Sequence, residues 1–271
     1  MERNKDMSVH RTRSIQAIVS DGYRLYVANL FRIMRGSWLQ GILYALCFGV
    51  VMSYFYTNLL PVFLAEQSSS CVFVKPLVIW LLMLLVFCIS LALFVSSAGF
   101  APLREHEQAG TINLPLHWWG RWPLSLTGRV LVAMLWLMLP GPLLLFILPI
   151  LITAFNSVMS PRFSLTSPLK GFGRAAHHFG PIIVVTMVVC LVVGVASVFI
   201  EFPAFILSMA NVESQIGVTK GDELDMPVPL FWFNFATFSI IGLLQAYIHL
   251  SMLFPFYYLW GSIKNETSQT E

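Results

Sequence analysis

Between Leu77 and Phe100 the chain runs for 24 residues without one charged side chain. At 1.5 Å per residue a helix of that length reaches about 36 Å, more than the ~30 Å hydrocarbon core of a bilayer. Comparable runs occupy Ser37 to Leu60, Pro181 to Ala204 and Leu230 to Trp260. Lipid offers no partner to a free backbone N–H or C=O, so segments of this kind cross as helices. The composition agrees, with 57% hydrophobic and 11% charged residues, against roughly a quarter charged in ordinary soluble domains. A water-soluble core is excluded. The fold class expected is all-α, a polytopic transmembrane helical bundle.

The stretch LMLPGPLLLFILPI, Leu137 to Ile150, decides the topology. Read as one kinked crossing, it puts everything after Pro142 on the far side of the bilayer; read as a tight hairpin, it does not. Lys and Arg of short loops concentrate on the cytoplasmic side. A hairpin places 14 of the 16 Lys and Arg residues inside, whereas a single pass leaves 11 inside and 5 outside. Pro140, Gly141 and Pro142 also suit a turn, because glycine tolerates positive φ and each proline removes a backbone donor. The hairpin reading gives six spans, near 37–60, 77–100, 123–139, 143–160, 181–204 and 230–260. They form three hairpins, each preceded by a cytoplasmic interfacial amphipathic helix. A cytoplasmic leader over 1–36 and a cytoplasmic tail over 261–271 complete the plan. No cleavable signal precedes the first span, which is expected to target the chain itself.

Several stretches are candidates for function. In the leader, Ile15, Val19, Tyr26, Leu30 and Ile33 line one helical face, while Arg13, Arg24 and Arg35 recur every eleven residues on another. That pattern predicts a basic amphipathic helix lying on anionic headgroups. In the first span Ser37, Gly41, Ala45, Gly49 and Ser53 recur at intervals of four. Such a ridge of small side chains lets another helix approach closely, within the chain or from a second copy. Trp118, Trp119, Arg121 and Trp122, in LHWWGRWP, read as an aromatic belt that can also hold a lipid headgroup. His249, with Gln245 one turn before it, is the leading intramembrane polar candidate.

Other matches fail on chemistry. His106 and Glu107 lack the second histidine of a helical zinc site, since Gly110 stands there. Gly171, Gly173 and Ala176 imitate a dinucleotide turn with no strand before them, and Ser167 with Lys170 imitates a nucleophile pair without its companions. The adjacent His177 and His178 point about 100° apart on a helix. No catalytic, cofactor-binding or metal-binding set is therefore expected, and no cofactor.

RSIQAIVSDGYRLYVANLFRIM and TSPLKGFGRAAHHFGPIIVV each run from a hydroxyl residue through a partly basic amphipathic helix into a span. With the six-span layout, this resembles a broad group of uncharacterised bacterial inner-membrane proteins, and is similar in layout to the membrane domain of glycerophosphodiester phosphodiesterases. In that family catalysis belongs to a separate barrel domain, and only GSIKNETSQTE follows Trp260 here. The resemblance thus implies a membrane module without that activity. The function expected is a non-catalytic multi-pass protein of the inner membrane, both termini cytoplasmic, that binds anionic lipid or a partner. A second membrane protein or a second copy is the candidate partner, and nucleic acid is not. The alternative is a permease or transporter component.

Overall fold

A computed structural model describes residues 13–60, 70–112, 124–138, 144–160, 172–219 and 230–270. Among them are nine α-helices and no strand: α1 (Ile15–Tyr54), α2 (Ser70–Phe94), α3 (Ala101–Ala109), α4 (Leu124–Met138), α5 (Leu144–Met159), α6 (Phe172–His177), α7 (Phe179–Thr219), α8 (Leu230–Leu250) and α9 (Leu253–Thr270). Two wider turns of i→i+5 type succeed α1, at Phe55–Leu59, and α2, at Val95–Phe100. The fold is an all-α bundle. Among the described residues four stretches are long and apolar enough to cross a membrane: Ile15–Leu59, Val74–Ala109, Phe179–Ser214 and Phe231–Glu266.

The first difference from expectation lies in α1. It runs unbroken for 40 residues, about 60 Å, so the leader helix and the first span are one element with no boundary at Gly36. A separate helix lying flat before the span does not form. Nothing in the sequence stops the helix there: no proline intervenes, and a lone glycine costs only about 1 kcal/mol relative to alanine. At the other end, the run expected as one span from Leu230 to Trp260 breaks at Ser251 and Met252 into α8 and α9. Pro255 explains the break, because its ring lacks a donor and clashes with the carbonyl four residues back. The expected tail is helical, α9 continuing to Thr270.

The chain divides into two units. One draws on residues up to Trp38, Ala92–Gly194 and His249 onward; the other on Leu39–Leu91 and Val195–Ile248.

In the first unit α4 and α5 pack side by side. Arg129 on α4 reaches the carbonyl of Ser160 just past α5, an impossible contact for two residues 31 apart on a straight or mildly kinked helix. The two helices form a hairpin; Pro140, Gly141 and Pro142 lie outside the described residues. Its arms have 15 and 16 residues, about 22 and 24 Å, shorter than a ~30 Å hydrocarbon core. They are not among the four helices long enough to span. The arm α5 is apolar for another reason: Ile150, Ile152, Ala154, Phe155, Val158 and Met159 are all buried. Over that stretch α5 is packed within its unit, against α4, α6 and α9.

In the second unit α8 runs antiparallel to α7, since Gln245 donates to Glu201 while Phe238 and Ile241 meet Ala204. Phe48, Met52, Tyr56 and Ile200 close over that core. Of the small-residue ridge, Gly41, Ala45, Gly49 and Ser53 belong to this unit and all are buried. A Cβ on Gly49 would collide with Ser239 Oγ and lie 2.9 Å from the Phe235 carbonyl oxygen, so α1 and α8 touch nearly backbone to backbone. Gly49→Leu should therefore lower the thermal stability of the protein in detergent by about 1–3 kcal/mol or more. An unchanged melting temperature would show that the contact is not maintained. Ser37, in the first unit, is also buried and donates to the Ile33 carbonyl at 2.7 Å.

Many outward-facing side chains in both units are large and apolar. Phe31 is 86% exposed, Phe199 77% and Leu82 62%, an arrangement tolerable in lipid and costly in water.

Candidate functional site

The first unit contains a cleft of about 410 Å³, in the size range of small-ligand sites. One wall is a face of α1 bearing Asp21, Arg24, Leu25, Ala28, Asn29 and Arg32. The opposite wall combines His106 near the end of α3, the adjoining Gly110, Thr111 and Ile112, and Tyr258 of α9.

Local sequence explains how these walls form. Helix α3 stops at Gly110, whose φ of 68° is the left-handed conformation that glycine adopts without strain. Its N–H bonds back to the His106 carbonyl at 2.9 Å. The chain then turns to α1, where Arg32 donates to the Ile112 carbonyl at 3.2 Å. On the floor, His106 is buried, with Nδ1 3.3 Å from the Tyr257 hydroxyl and its ring edge-on to that of Tyr257. Asp21 is engaged by Arg13 at 3.2 Å, and the same guanidinium lies 4.7 Å from the centre of the Tyr258 ring.

These contacts set the charge balance. Arg13 offsets Asp21, whereas neither Arg24 nor Arg32 is paired with a carboxylate among the described residues. Among the described residues the cleft is left with two guanidinium groups in excess. A guanidinium presents a planar fork of N–H donors that matches phosphate and carboxylate, so the site is built to receive an anion.

Of the basic residues expected to meet headgroups, Arg24 lines the cleft, Arg13 supports it from behind, and Arg35 is exposed elsewhere on α1. Arg32, absent from the eleven-residue pattern, is the second arginine; it stands two turns from Arg24 on the same side of α1. Trp118, Trp119, Arg121 and Trp122 lie outside the described residues. Within the leader's apolar face Tyr26 and Ile33 are buried, while Ile15, Val19 and Leu30 are half-buried. His249 is exposed, at the break between α8 and α9, and its carbonyl accepts from Met252 at 3.1 Å. Gln245 is buried and bonds Glu201. That polar pair was hidden in the sequence, its members 44 residues apart. Glu107 meets Lys264 at 3.9 Å. Among the described residues no three His, Cys, Asp or Glu side chains converge as metal ligands.

No protein-family model, curated protein or solved structure matches this chain.

Proposed function

We propose that this is a non-catalytic integral membrane protein that binds anionic lipid in the cleft between α1, the end of α3 and α9. The excess of two guanidinium groups there carries the reading. It gains support from Val27, Phe31 and Met34, which are exposed on α1 beside Arg24 and Arg32. A lipid with its headgroup at the arginines would lay its chains along them. The distribution of Lys and Arg along the sequence supports a multi-pass orientation in an inner membrane with both termini cytoplasmic.

Native mass spectrometry of the protein released from mixed-lipid micelles tests the assignment. Wild-type protein should retain anionic phospholipid in preference to phosphatidylcholine, and Arg24→Ala/Arg32→Ala should lose that preference while keeping its fold. Equal retention of the two lipid classes by wild type would refute it.

One observation favours the alternative, a permease component: the Glu201–Gln245 pair inside a membrane-crossing stretch. Intramembrane carboxylates are costly and often mark transport paths. A Glu201→Gln variant that still folds and complements a deletion strain would count against transport through that pair.

A further inference from the structure

Resting on the lipid-binding reading, we infer that the cleft selects a polyol phosphate, a headgroup carrying hydroxyls beside its phosphate, over a bare phosphomonoester. The donors for phosphate are Arg24 and Arg32. The same cleft also presents acceptors. Among the described residues Asp21 meets Arg13 through Oδ2, which leaves Oδ1. Asn29 uses its amide Nδ2 on the Leu25 carbonyl at 3.0 Å, which leaves Oδ1 to accept.

An ionised phosphomonoester carries acceptors almost everywhere, so set against Asp21 and Asn29 it would leave oxygen facing oxygen at an energetic cost. A hydroxyl-bearing headgroup resolves the conflict. Its phosphate takes the guanidinium forks, and its O–H groups donate to Asp21 and Asn29. An ammonium headgroup would also satisfy Asp21, but Arg13 already offsets that carboxylate. The remaining charge favours a net anion with neutral donors. The volume of about 410 Å³ leaves room for a glycerol-sized group beyond the phosphate.

The experiment is a calorimetric titration of the full chain in detergent with four probes: dihexanoyl phosphatidylglycerol, dihexanoyl phosphatidate, dihexanoyl phosphatidylcholine and glycerol 3-phosphate. Phosphatidylglycerol should bind about tenfold more tightly than phosphatidate, and Asn29→Leu should remove most of that difference without weakening phosphatidate. Because the readout is a ratio on one preparation, partial loss of folded protein does not mimic it. If glycerol 3-phosphate binds as tightly as phosphatidylglycerol, the polyol phosphate chemistry stands and its source is a soluble metabolite. Phosphatidate binding equal to or tighter than phosphatidylglycerol overturns the inference while anionic-lipid binding survives. A preference that persists in Asn29→Leu likewise overturns it. Binding of phosphatidylcholine as tight as either anionic lipid removes the underlying reading as well.

Discussion

Replacing Gly22 by alanine should lower the melting temperature of the detergent-purified protein by on the order of 5 °C or more, the largest effect expected of any glycine-to-alanine change among the described residues. A Cβ at Gly22 would lie 2.5 Å from the nitrogen and 2.6 Å from the Cα of Pro255, and 2.9 Å from the Phe254 carbonyl carbon. All three are backbone atoms, so no rotamer change relieves the clash and the helices must move apart. Overpacking that only displaces side chains costs about 1–3 kcal/mol, and displaced backbone costs more. The movement would also disturb Tyr26, whose ring meets that of Phe254 at 5.0 Å, and through Tyr258 the wall of the cleft. Gly22→Ala should therefore weaken lipid binding along with stability. Gly194→Ala is the control. Nothing lies within 4 Å of its added Cβ, and alanine in a helix is favoured over glycine by about 0.5–1 kcal/mol, so stability should hold or rise slightly. Equal melting temperatures for the two variants would remove Gly22 from its assigned role.

The second large effect is expected at the end of α5. A helix leaves its last four carbonyls without partners inside the helix. Here Arg104 donates to the Val158 carbonyl and Arg129 to the Ser160 carbonyl, so α3 and α4 each supply a cation to the negative end of α5. Hydrogen bonds to charged groups contribute about 1.5–3 kcal/mol each, and the helix dipole adds to this. An Arg104→Met/Arg129→Met double variant keeps much of the side-chain volume but leaves two partly buried carbonyls without these donors. Thermal unfolding should show a loss of about 3 kcal/mol or more, with Arg104→Lys intermediate. Arg35→Met, at an exposed position on α1, should change little. A double variant as stable as wild type would mean that water satisfies those carbonyls.

These two sites show where sequence was legible and where it was not. The apolar runs at Leu77–Phe100 and Pro181–Ala204 announce helices, because length and hydropathy alone decide that a backbone in lipid must satisfy itself. The succession Pro140, Gly141, Pro142 announces the α4–α5 hairpin on local chemistry. Beyond that, meaning depends on contacts. Ile150, Ile152, Phe155 and Val158 read from composition as part of a span, and in the fold they are buried within their unit, since composition does not distinguish a lipid surround from a protein one. Arg129 reads as a topology signal in a charge count and works as a helix cap in the fold.

Gly22 sits in SDGYR, a sequence typical of turns, yet it lies within a continuous helix because Pro255, more than 200 residues away, needs the space. The cleft was half legible. The basic stripe of the leader pointed to Arg24 and Arg13, but Arg32 joins them only because Gly110 turns the chain after α3 back toward α1. Asn29 carried no signal, and His106 stood out only as half of an incomplete zinc pattern, since their role in the cleft depends on which atoms Leu25 and Tyr257 occupy.

Lipid binding in the cleft requires that α1 meet the headgroup and acyl boundary at that level. The most direct test is the depth of spin labels on single-cysteine variants, Arg24→Cys and Phe31→Cys, in a background lacking the native cysteines and reconstituted in phosphatidylglycerol vesicles. Collision with oxygen, which concentrates in acyl chains, is compared with collision with a water-soluble nickel chelate. The label at Phe31, which is 86% exposed, should favour oxygen strongly, and the label at Arg24 should report an interfacial depth between the two regimes. Both labels relaxed by the nickel chelate as freely as a label in water would contradict lipid binding there, for the cleft would then open to solvent away from any lipid.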